Sequence, residues 1–150
     1  MPALLPVAPI PLLDRLCSDA DPAEGAALDA RGLQASIARD LGRLHNARSR
    51  LGFDDFVARD TTVIDYGLPD FGALSARSGD DLSVLQRAVE HAIRRFEPRL
   101  LNPRVAIDPI AGVQHRARLR IDATVRLGAE LRRVQFELDA EPGTTRIEAA

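Results

Sequence analysis

The chain has 150 residues, 45% hydrophobic and 28% charged, which allows one globular domain with a core of its own and excludes a disordered chain. A formal net charge of -2 argues against a general polyanion binder, although all 20 basic residues are arginine. A single cysteine, Cys17, excludes an internal disulfide and fits a reducing compartment, and no run approaches the roughly 18 apolar residues of a membrane span.

The chain opens on Pro2, Pro6, Pro9 and Pro11 within an apolar stretch that has no basic residue, so it does not read as a secretory signal. Residues 1–11 are expected to be an extended arm held out of the folded core by proline. Leu12-Leu13-Asp14-Arg15-Leu16 supplies one amphipathic turn, and the small, acidic residues 18–30 read as a surface linker. Residues 1–30 are thus arm and linker, and residues 31–150 the domain.

Over residues 31–50, Leu33, Ile37, Leu41 and Leu44 fall at helical spacing and build one apolar stripe. Residues 53–71 read as loop, with a turn at Tyr66-Gly67-Leu68-Pro69-Asp70. A second helix begins between Ser78 and Asp81, carries Leu82, Leu85, Val89, Ile93 and Phe96, and ends before Pro98. The period then becomes two. Val105 and Ile107 mark a short strand, Leu119, Ile121, Ala123 and Val125 alternate with polar residues, and Val134, Phe136 and Leu138 do the same after Gly128. A turn at Glu141-Pro142-Gly143-Thr144 leads to a last strand, with Ile147 inward and Arg146 and Glu148 outward. Helices first and strands afterwards predict an α+β fold, two main helices on a small antiparallel sheet.

Catalytic chemistry has little to rest on. His45, His91 and His115 have no metal-ligand spacing between them, and no HExxH, CxxC, GxSxG, Walker A or GxGxxG occurs. No metal or cofactor is therefore expected. Cys17 reads as a small hydrophobe, and the acid pairs Asp54-Asp55 and Asp80-Asp81 read as caps or solvated surface. Arg116, Arg118 and Arg120 share one side of a strand, but without interleaved aromatics they do not make a nucleic-acid surface, and Glu137 offers a cross-strand partner. Glu97-Pro98-Arg99 stands apart. Proline fixes the chain's exit from the helix, so a carboxylate and a guanidinium are set at a defined angle. The residues alone leave open whether these two pair internally or clamp a partner.

In order along the chain come Leu12-Leu13-Asp14-Arg15-Leu16, Ser36-Ile37-Ala38-Arg39-Asp40-Leu41, Leu44-His45-Asn46-Ala47-Arg48, Val63-Ile64-Asp65-Tyr66-Gly67-Leu68-Pro69-Asp70 and Ala92-Ile93-Arg94-Arg95-Phe96-Glu97-Pro98-Arg99-Leu100. With these segments the chain resembles the TssE family of type VI secretion baseplates, related to a phage baseplate-wedge subunit with an old lysozyme-like label. His45 and Ala47 depart from a family pattern that usually reads Leu-Leu-Asn-Thr-Arg. The resemblance implies a structural, non-enzymatic subunit, cytoplasmic at the inner-membrane-associated baseplate, whose partners are other wedge subunits and contractile sheath proteins. It implies that Glu97, Pro98 and Arg99 join the wedge's helical core, with no nucleic acid bound and no direct membrane insertion. Leu12, Leu13 and Leu16 offer an apolar anchor for docking, and Arg146 lies on a predicted free sheet edge where a sheath strand can add. The alternative is a peptidoglycan-cleaving glycosidase, which lacks a credible acid and nucleophile pair here.

Overall fold

The computed structural model describes residues 7–16, 27–110, 117–141 and 144–149, with the side chains of Leu13 and of residues 139–149 left out. Cys17, His115, Arg116 and the Pro142-Gly143 turn lie outside the described residues, as does most of the 18–30 linker.

Two helices supply the upper layer. Helix α2 (Ala30–Asn46) starts at Asp29, whose side chain accepts the Gly32 N–H at 2.7 Å. It buries the expected stripe of Leu33, Ile37, Leu41 and Leu44. Helix α4 (Gly79–Phe96) is capped by Ser78, whose hydroxyl accepts the Asp81 N–H. Asp80 and Asp81 in its first turn and Arg94 and Arg95 in its last oppose the helix dipole. Beneath them lies a four-stranded antiparallel sheet in the order β3 (Leu101–Pro109), β4 (Ala117–Leu127), β5 (Glu130–Glu141), β6 (Thr144–Ala149). Helix α4 lies against β3 and α2 against β6. Strand β4 buries Leu119, Ile121, Ala123 and Val125 in strict alternation, and Phe136 and Leu138 of β5 join them. Each of the larger side chains, Ala123 apart, contributes about 1.5–3 kcal/mol of burial. The α+β expectation holds. On the other face Arg118 meets Glu137 at 3.8 Å and Arg120 meets Asp108 at 3.3 Å, so these two arginines of the expected basic stripe are charge-paired.

Three local expectations need correction. Residues 53–71 are not all loop: Phe53–Ala58 forms helix α3, and Val63–Asp65 a 3-10 turn. Phe56, fully buried, anchors α3, and Asp54 and Asp55 suit its N-terminal end. The 105–107 strand is nine residues long, irregular at its start where Asn102 takes φ 51° before Pro103. Proline does not hold the whole arm away from the core. Ala8–Pro9 (β1) pairs with Ala27–Leu28 (β2), and Ala8 is buried in the core cluster. A two-residue edge pairing tolerates the missing amide of Pro9. The five-residue helix α1 (Leu12–Leu16) then turns Leu12 and Leu16 to solvent.

Candidate functional site

The helix-to-sheet corner is where the chain builds most polar structure. Glu97 is the C-cap of α4, its N–H donating to the Ile93 carbonyl at 2.9 Å. Pro98 stops the helix and turns the chain, so the Arg99 side chain folds back over Glu97. Arg99 Nε donates to Glu97 Oε1 at 2.6 Å and Nη2 to Oε2 at 2.5 Å, a bidentate pair. The same guanidinium reaches α2, donating to Ser36 Oγ at 3.0 Å and to Asp40 Oδ2 at 2.5 Å. Glu97 is 3% exposed, and the Arg99 side chain 27%. Burial alone would lower the Arg99 pKa, but hydrogen bonding and charge from Glu97, then Asp40, hold it above the usual arginine value. The pair is thus internal, not the exposed ion pair that its position at a helix end suggests.

The network continues outward. The Ser36 hydroxyl donates to Asp14 Oδ2 at 3.2 Å, Arg39 donates to the same oxygen at 2.8 Å, and Arg43 holds Asp40 at 2.8 Å. Asp14 thereby ties α1 to α2, with Leu12 and Leu16 left on the outer side. The sequence pattern carried no sign of this link.

Beside the corner lies an open groove of about 390 Å³. Pro9, Ile10 and Pro11 form one wall, and Leu44, Tyr66, Phe96 and Pro98 line the rest with Asp40, Glu97 and Arg99. The Tyr66 ring stands edge-on to Phe96 at 5.2 Å. Burial first, then the negative charge of Asp40, raise the Tyr66 pKa, so its hydroxyl stays a donor. The groove is an apolar trough with a polar end. Its two acids, Asp40 and Glu97, are both tied up as hydrogen-bond acceptors of the one Arg99 guanidinium.

The sheet's two edges differ. On β3 the Val105 N–H donates to Glu90 Oε1 of α4 at 3.1 Å, so it points away from β4. Strand alternation turns positions 107 and 109 the same way, and Pro109, like Pro103, has no amide. Edge β3 is therefore largely closed. Following the unbroken register through β4 and β5 turns the amides of Thr145, Ile147 and Ala149 outward on β6, and that of Arg146 toward Asp139. The β4–β5 hairpin agrees, because Leu127 and Glu130 flank a two-residue turn and must form a hydrogen-bonded pair. Arg146 thus sits on the terminal strand of the sheet with its amide turned inward, while the amides of its neighbours turn outward. Its side chain, like that of Leu13, lies outside the described residues.

Of the residues picked from sequence, the structure gathers Glu97, Pro98 and Arg99 with Asp40 and Ser36. Leu12 and Leu16 stand on α1 and Arg146 on β6. Among the described residues no group of three His, Cys, Asp or Glu side chains is placed to hold a metal ion, and no helix is long and apolar enough to cross a membrane.

No curated protein and no solved structure matches the chain. The family model described as baseplate wedge protein gp25 matches residues 31–130, from the start of α2 through the β4–β5 turn and so across the corner, the groove apart from its Pro9–Pro11 wall, and the β3 edge. The chain therefore belongs to the baseplate wedge protein gp25 family, whose members are structural.

Proposed function

We propose that this chain is a TssE-type subunit of a type VI secretion baseplate wedge, without enzymatic activity, working in the cytoplasm at the inner-membrane-associated baseplate. It joins the other wedge subunits through the groove at Glu97, Pro98 and Arg99, with Leu12, Leu13 and Leu16 as a second contact. It links them to the contractile sheath by accepting a sheath strand on β6, at the edge that holds Arg146. Neither nucleic acid nor direct membrane insertion enters this role. The observation that supports it most is the asymmetry of the sheet. Two prolines and Glu90 leave β3 only the Ile107 amide in its outward row, whereas β6 turns three amides outward, so strand addition is favoured at β6.

The test uses cells lacking the wild-type subunit and a fluorescent sheath. Ile147→Pro removes one outward amide and leaves the β5–β6 ladder its bonds, so sheath numbers per folded molecule should collapse. Arg146→Pro removes a ladder bond instead and should lower stability. Normal sheath numbers from folded Ile147→Pro would exclude β6 as the seeding edge.

A further inference from the structure

Away from the groove's floor, the chain puts two large apolar side chains into solvent on a turn that is firmly held. Val63 is 85% exposed and Ile64 68%, both on the 3-10 turn Val63–Asp65. Their exposure is not that of a loose loop. The buried Asp65 carboxylate accepts the Thr62 N–H at 2.9 Å and the Thr62 hydroxyl at 3.0 Å, closing the turn on itself. Gly67 follows at φ +116°, where a Cβ would stand 2.7 Å from the Ala47 carbonyl group. Only glycine lets the chain pass so close, and Leu68 then bonds to Ala47 and Ser49 on both sides. A turn pinned in this way loses little entropy when it is covered.

The turn is also bracketed by two guanidiniums. Arg50 Nε donates to Asp65 Oδ1 at 3.1 Å on one side, and Arg95 Nε donates to the Thr61 carbonyl at 2.5 Å on the other. Each arginine uses its Nε on the turn. Among the described residues, no carboxylate other than Asp65 pairs with either one, and both side chains are exposed. Their terminal nitrogens therefore face outward as fixed forks on either side of an apolar tip, the arrangement that fits planar carboxylates.

The geometry points to a second docking surface, the Val63–Ile64 tip with Arg50 and Arg95, whose occupant is an apolar pocket rimmed by carboxylates on another wedge subunit. The identity of that partner rests on the wedge reading above. Two oriented forks favour a protein over a lipid surface, for which diffuse positive charge is enough. Asp60, exposed beside Thr61, and the chain's net charge of -2 would also oppose anionic headgroups. The tip adjoins the groove through Tyr66, so one partner assembly can cover both.

The test titrates the full chain against a wedge assembled from the other subunits, and reads hydrogen exchange at residues 61–66. Val63→Ser/Ile64→Ser changes only exposed side chains, so it should melt with the parent and bind roughly tenfold more weakly. The amides of 61–66 should be protected in the parent complex alone, and Arg95→Gln should weaken binding and flatten its salt dependence. Full affinity of the tip variant, while Glu97 or Arg99 variants lose theirs, would overturn the tip and leave the wedge role standing. If the parent chain itself fails to bind the wedge, both readings fall. Protection that arises with phosphatidylglycerol–phosphatidylcholine vesicles, or on self-association without the wedge, would overturn it in favour of lipid or a second copy.

Discussion

Removing either half of the Glu97–Arg99 pair should have unequal effects, and the inequality follows from where solvent reaches. Glu97→Ala takes away a bidentate partner but leaves Arg99 bound to Asp40 and Ser36 and partly exposed. The cost should be about 2–3 kcal/mol, that of lost charge-assisted hydrogen bonds. Arg99→Ala instead strands a carboxylate that is 3% exposed and has no other cation bonded to it among the described residues. A buried charge left unpaired costs about 3–5 kcal/mol. The double variant should cost less than the two losses added, because the stranded charge is gone. Urea denaturation of the three variants measures all of this, and wedge recovery per folded molecule then separates a docking role from bracing. Losses below about 1 kcal/mol, as for an exposed pair, or equal losses from both single variants would refute the buried brace.

Two further outcomes follow from single contacts. His45 is buried against the Phe71 ring, and burial, with Arg48 nearby, takes its pKa from 6.5 down to about 4. Because the folded value is depressed, the unfolded chain binds the proton first. About 3 kcal/mol of stability present above pH 6.5 is therefore lost as pH falls toward 4. His45→Leu, which supplies the family's usual residue, should flatten that slope in denaturation curves at several pH values. The more exposed His91, lowered in the same direction, leaves a small residue of it, and an unchanged slope would refute the assignment. Glu90→Ala should uncap the Val105 amide and let a second strand add at β3. Sedimentation should show concentration-dependent association beyond the parent's, and none would mean that the two prolines close this edge unaided.

Periodicity made the long elements legible. A stripe such as Leu33, Ile37, Leu41 and Leu44, or an alternation such as Leu119 to Val125, spans enough residues to declare its period and the face it buries. Helix α3 has six residues and one buried apolar anchor, Phe56, which is too short a window for any period to show. Strand β3 begins at an Asn-Pro pair that reads as a break, and its pairing comes from β4, not from its own residues. The candidate site was legible in its position but not in its burial. Proline marks the corner, yet Ser36 and Asp40, which draw Arg99 inward, lie 63 and 59 residues away. Nothing in local composition links residues that far apart.

Helix α2 is the element that both proposed contacts share. Its Ser36 and Asp40 hold Arg99 at the groove, its Leu44 lines that groove, and its Arg39 fixes Asp14 of α1. The same helix lies against β6, so a displacement of α2 would disturb the groove and the terminal strand of the sheet together. Buried Leu33, Ile37 and Leu41 resist such a displacement, because a close-packed core has no continuous path between arrangements. The groove and the edge are thereby kept at a fixed separation and angle. The role proposed above, passing the geometry of a wedge to the first ring of a sheath, needs that stiffness more than it needs a switch. In this chain it comes from one helix that is packed below, paired at its flank and capped at its start by Asp29.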